Sequence, residues 1–308
     1  MSVINIETCL QGCPNFNETS LILKKGLLAI FLLTQCGYAF SQEHKTVKEI
    51  RFTSLYTSFP DSVRAGGYTY DSVFYSAKDH YKDNSVLLVV PKNFHAKKKV
   101  DLIFWFHGWR NNIDTANQFH EIEKQFIASG KNAVLVLAET ARNAPDSYGG
   151  KLEQNGMFSK LVMDVVHYLK IINLVNQKTK AGNITLAGHS GAYRVIASIL
   201  ANGEMPVGNV FLFDALYGQT DKFLSWIEQD KQHRFVNWYT NHGGGTDEVS
   251  IQMMKQLDTL HLPYQLVEET TIDSNSIKSN RVLFVHSTRE HNVIINRPDN
   301  LLLLLQNE

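Results

Sequence analysis

The chain has 308 residues, 44% of them hydrophobic and 11% aromatic, which is enough to bury a sizeable core. Its 30 Lys and Arg residues balance 30 Asp and Glu residues, so no global field draws it to nucleic acid or to an anionic membrane. The local run Lys97-Lys98-Lys99 reads as the solvated entrance to a strand.

In chain order, the first segment is a targeting signal. Residues 24–41, KKGLLAIFLLTQCGYAFS, place two lysines before an apolar run and end in small residues, the three-part layout of a secretory signal cut after Ser41. The apolar run from Leu27 to Leu33 is too short to span a membrane comfortably, and Thr34, Gln35 and Gly37 interrupt it. Residues 1–41 are therefore read as an N-terminal extension and signal peptide, residues 42–308 as one domain, and the protein as exported, with no stable membrane insertion once the signal is removed. Cys9, Cys13 and Cys36 all precede the cut, so the mature domain is expected to fold without disulfides and without a cysteine nucleophile. Cys36 loosely fits a lipoprotein box, but Gln35 stands where a small residue is usual, so lipid anchoring is the lesser alternative.

Beyond residue 42, strands are expected at 50–58, 85–90, 101–106, 132–138, 183–187, 207–213, 234–239 and 281–286. Several are continuous apolar runs, as in Val134-Leu135-Val136-Leu137, and this suits strands covered on both faces. Helices are expected at 117–129, 158–177, 192–201, 222–229 and 250–260; in the second, Leu161, Val165, Tyr168 and Ile172 recur at spacings of three and four. Alternating strands and helices predict an α/β class, with a mostly parallel central sheet and helices on both faces.

The motif that carries chemistry is Gly188-His189-Ser190-Gly191-Ala192, set between the expected strand at 183–187 and the helix at 192–201. A serine at such a turn needs neighbours without bulk on either side, and Gly188, Gly191 and Ala192 meet that need. The turn lifts the hydroxyl out and aims the first backbone N–H groups of the helix at it. At this point the chain resembles the α/β-hydrolase superfamily, over most of residues 85–300. The resemblance implies a single-domain hydrolase fold with Ser190 as nucleophile. It also gives His107-Gly108 a role: the pair follows an apolar strand and would support the oxyanion loop, with the N–H groups of Trp109 and Gly191 forming the oxyanion hole.

The base must follow the last strand, where His291 is favoured over His286, because His286 falls inside the apolar run. The acid is open between two residues. Asp214 ends a strongly apolar strand, where an unpartnered carboxylate is costly; Asp247, in the Gly-rich stretch HGGGTD, has the simpler role of serving a helix start. Asp214 is favoured, with Asp247 as the alternative. That stretch is expected to line the pocket mouth, Arg110 could meet a substrate carboxylate, and the long loop from residue 139 to 158 could wall the cleft with Asp146 and Tyr148 exposed.

These residues support acyl transfer to serine on a small-molecule ester or amide, with no metal and no cofactor. The leading expectation is a secreted esterase. The alternatives are an amidase or peptidase of the same fold, and a non-catalytic binding protein on a hydrolase scaffold.

Overall fold

Apolar β-branched and aromatic runs build a nine-stranded sheet in the computed structural model, which describes residues 47–242 and 244–308. In chain order the strands are β1 (Val47–Thr53), the hairpin β2 (Tyr68–Tyr70) and β3 (Val73–Tyr75), β4 (Ser85–Pro91), β5 (Lys99–Phe106), β6 (Ala133–Ala138), β7 (Lys180–His189), β8 (Asn209–Phe213), β9 (Arg234–Thr240), β10 (Gln265–Glu268) and β11 (Val282–Ser287). The order across the large sheet is β1-β4-β6-β5-β7-β8-β9-β11-β10, while β2 and β3 pair separately. β4 is antiparallel to both of its neighbours, β1 and β6; the seven strands from β5 to β11 are parallel to one another, so their carboxyl ends share one edge. The proposed leader, its cut after Ser41 and all three cysteines lie outside the described residues.

Eight helices of six residues or more cover the sheet among the described residues: α1 (Ile113–Phe119), α2 (Ile122–Ala128), α3 (Met157–Ile171), α4 (Tyr193–Asn202), α5 (Thr220–Gln229), α6 (Thr246–Thr259), α7 (Ser274–Ser279) and α8 (Asn300–Gln306). Alternation within the strands decides which helices lie on which face. In β5, Leu102, Phe104 and Phe106 pack with residues of α3, α4, α5 and α6, such as Phe158, Ile196, Ile227 and Leu257. Its Ile103 and Trp105 pack on the other side with Ile113, Phe126, Ile277 and Leu304, from α1, α2, α7 and α8. Both faces are thereby dry, and this is why these strands read as unbroken apolar runs.

Several boundaries differ from the sequence expectation. The helix expected at 117–129 is two helices, broken where Glu121 takes a left-handed φ of 51°. The helix expected to reach residue 177 stops at Ile171, just before Asn173 turns left-handed at φ 57°. The first strand ends at Thr53 instead of residue 58. The hairpin β2–β3, the edge strand β10 and the helices α7 and α8 carry no expectation at all. The hairpin is closed by Asp71 and Ser72, both at positive φ, in a two-residue turn without glycine, so the usual punctuation is missing.

Candidate functional site

The site begins where β7 runs into α4. Ser190 sits at φ 55°, a left-handed conformation unfavourable for a residue with a side chain, and starts a single 3₁₀ turn into the helix. The small residues around it are required by contact. A Cβ on Gly188 would stand 2.7 Å from the Ala192 methyl and 3.0 Å from the Phe106 carbonyl. One on Gly108 would stand 2.7 Å from Ser190 Cβ. The loop after β5 therefore presses directly on the serine turn. Gly108→Ala is expected to force the two apart and destabilise the fold by about 1–3 kcal/mol, as overpacking does. A denaturant midpoint equal to wild type would show that the loop yields freely.

From the same edge, β8 delivers Asp214 and the turn after β11 delivers His291. Asp214 is 0% exposed, and its Oδ2 lies 2.5 Å from His291 Nδ1. Its Oδ1 accepts the Thr240 N–H at 3.2 Å and the Thr246 hydroxyl. With these donors the buried carboxylate is fully partnered, and this offsets its desolvation. The other imidazole nitrogen, His291 Nε2, is 3.0 Å from Ser190 Oγ. An Nδ1–H donated to Asp214 leaves Nε2 free to accept the serine proton.

Both ring nitrogens of His291 are thus occupied, and Asp247 is not one of the partners. Asp247 lies half-buried in the first turn of α6, where a negative charge complements the helix dipole. Its neighbour Thr246 is the residue of that turn that reaches the acid. Among the described residues of the stretch HGGGTD, none lines the cavity at Ser190, contrary to expectation: Gly244 and Gly245, at φ 73° and 108°, make the turn that sets Thr246 against Asp214. His286 is engaged elsewhere, with Glu268 at 2.8 Å on Nδ1 and Asn241 at 2.5 Å on Nε2.

The loop after β5 is anchored by His107, which is buried. Its Nδ1 donates to the Gly108 carbonyl at 2.8 Å, and its Nε2 lies 2.6 Å from Glu139 Oε1 and 2.9 Å from the Thr140 hydroxyl. Glu139 Oε2 also accepts the Ile113 N–H at 3.3 Å, tying the loop to the start of α1. Trp109 lies over Gly191, where a Cβ would come within 2.5 Å of the indole, and donates its ring N–H to Ser147 at 2.6 Å. Trp109, Ser147, Ser190, Gly191, Tyr193 and Tyr217 line a cavity of about 320 Å³. Arg110 is exposed and is not among these residues. Asp146 and Tyr148, expected to be exposed, are not. The Asp146 side chain is 5% exposed beneath Arg64, which it holds at 2.7 Å, and the half-buried Tyr148 hydroxyl donates to Asp61 at 3.1 Å.

Behind His291 stand two further imidazoles that sequence reading left without a role. His189 packs 4.5 Å from the His291 ring and donates Nε2–H to the His291 carbonyl at 3.0 Å; His120 packs 4.8 Å beyond it. Burial first, then the neighbouring imidazoles, push the pKa of His189 well down, and burial followed by the charge of His291 pushes His120 down to about 4. Unfolded histidine protonates near 6.5. As pH falls below that value the unfolded chain gains protons that the folded one refuses, so stability must fall until the folded pKa is passed. From His120 alone the expected loss between pH 6.5 and 4 is about 3 kcal/mol. Urea midpoints against pH would show it, with His120→Phe losing less; identical acid limbs for the two proteins would contradict it.

No family model matches the chain, and no curated protein sequence matches it. Solved structures similar to it in fold include the Staphylococcus aureus fluorophosphonate-binding serine hydrolase F, at 12% identity over 85% of this chain and 98% of that one, TM-score 0.48. Others are a feruloyl esterase module from Clostridium thermocellum, at 13% over 85% and 88%, TM-score 0.48, and a bacterial heroin esterase, at 14% over 94% and 91%, TM-score 0.46. Independently of these, a mostly parallel sheet covered on both faces, with a strained serine turn after its middle strand β7, is the α/β-hydrolase arrangement.

Proposed function

We propose that the protein is a serine hydrolase that cleaves carboxylic esters through an acyl-enzyme on Ser190. The observation that carries this reading is the continuous hydrogen-bonded chain from Ser190 Oγ to His291, at 3.0 Å, and from His291 to the buried Asp214, at 2.5 Å. Ser190 attacks the ester carbonyl as His291 Nε2 takes its proton, and Asp214 steadies the imidazolium that forms. The N–H groups of Trp109 and Gly191 hold the negative oxygen of the tetrahedral intermediate. Its collapse expels the alcohol, protonated by His291. A water activated by the same imidazole then releases the acid and restores Ser190.

Ester cleavage is favoured over amide cleavage by the cavity lining, which among the described residues contains no charged side chain to grip a peptide terminus. The test is a panel of nitrophenyl esters and aminoacyl anilides given to the protein. Ester turnover with an initial burst of nitrophenol, and little anilide turnover, is expected. Anilide turnover matching the esters would move the reading to an amidase, and no turnover of either would favour a binding protein.

We further propose that the chain is exported and matures near Gln42, on the strength of residues 24–41 alone. Intact-mass measurement of protein recovered from the envelope or medium is expected to give residues 42–308. A mass that includes residues 1–41 would refute the cut, and a lipid adduct on Cys36 would replace it with an anchor. No helix among the described residues is long and apolar enough to cross a membrane.

A further inference from the structure

The wall of the cavity at Ser190 has an unusual chemistry. Its apolar surface comes from the rings of Trp109, Tyr193 and Tyr217, its polar edges from hydroxyls, and its floor from Gly191; among the described residues no aliphatic and no charged side chain lines it. The rings of Tyr193 and Tyr217 lie 5.9 Å apart at 49°, and Tyr217 stands edge-on to His291 at 6.4 Å. Trp109 stays 42% exposed although its indole N–H is fixed to Ser147. Outside the cavity the hairpin β2–β3 continues the same surface, with Tyr70 edge-on to Trp109 at 5.2 Å and 72°. Two nearby cations are neutralised: Arg64 by Asp146 at 2.7 Å, and Arg194 by both oxygens of Glu153 at 2.7 and 3.0 Å.

An alkyl chain in such a cavity gains only the area it removes from water. A planar aromatic ring gains the same area and, in addition, edge-to-face and stacked contacts with three indole and phenol rings, worth roughly two- to tenfold in affinity. A volume of about 320 Å³ is at the small end for ligand sites, so it favours one ring on a short linker over a long chain. We propose that the site selects uncharged esters bearing a planar aromatic ring over alkyl esters, with Trp109 and Tyr193 supplying the ring contacts and Tyr70 extending them outward. This inference rests on the ester-hydrolase reading for the reaction but not for the binding.

Its test is therefore an equilibrium one. The full-length Ser190→Ala protein is titrated calorimetrically with methyl 3-(4-hydroxyphenyl)propanoate, with its ring-saturated cyclohexyl analogue, and with methyl octanoate. The aryl ester is expected to bind about tenfold tighter than the saturated analogue. Adding Tyr193→Leu is expected to reduce that ratio to about twofold or less with an unchanged circular dichroism spectrum, and adding Tyr70→Ala to reduce it part of the way. Should Tyr193→Leu fail to fold, Trp109→Leu reads the same ratio. Equal affinity for the two ring esters, tighter binding of the saturated ring or of octanoate, no binding of any of them, or a ratio untouched by both leucine variants overturns the proposal. Failure of the hydrolase reading would appear elsewhere, as wild-type protein that a fluorophosphonate does not label at Ser190.

Discussion

Ser190→Ala is expected to lower kcat for ester hydrolysis by roughly 10⁴-fold or more, because without the nucleophile only the oxyanion donors and substrate binding remain. The fold should be retained. The serine lies half-buried on the cavity wall, its Oγ bonded to His291, and alanine bears much the same penalty for φ 55°. Circular dichroism and an unfolding midpoint close to wild type are the controls. Retention of more than a few per cent of activity in a well-folded variant would mean that another group performs the attack.

Asp214→Asn is expected to lower kcat by about 10⁴-fold through the tautomer of His291. Two donors, the Thr240 N–H and the Thr246 hydroxyl, face Oδ1 and hold the amide oxygen there. The amide NH₂ must then point at His291 Nδ1, which becomes an acceptor. The ring proton moves to Nε2, facing Ser190, where a base is needed. Asp247→Asn should leave kcat nearly unchanged and lose only the interaction of a carboxylate with the start of α6, about 0.3–1 kcal/mol. If the two variants exchanged behaviours, the acid would be Asp247 and the geometry around His291 would be wrong.

The parts of this molecule that were legible in the sequence are those whose signal is local. Strands such as 132–138 announce themselves by unbroken apolar runs, since both faces of the sheet are covered. Ser190 is marked by the small residues that its turn demands. Asp214 and His291 were reachable because each ends or follows an apolar strand, and a carboxylate closing such a strand calls for a partner. What was missed is held by distant partners. Thr246 reaches Asp214 across 32 residues, His189 reaches the His291 carbonyl across 102, and Glu139 binds His107 across 32. No spacing rule marks such pairs. The glycines before Thr246 mark a turn without saying what the turn must deliver, so the sequence points to a pocket-mouth loop while the turn serves Asp214. The hairpin escaped for the opposite reason, as Asp71 and Ser72 make a left-handed turn with no glycine to advertise it.

The central claim is that Ser190 is a nucleophile activated by His291 and Asp214. The most direct measurement is mass spectrometry of the wild-type protein after treatment with a fluorophosphonate, followed by peptide mapping. The expected result is a single adduct on Ser190, formed far more slowly in Asp214→Asn and absent in Ser190→Ala. An unlabelled Ser190 peptide in folded, ester-hydrolysing protein, or an adduct confined to another residue, would contradict the account.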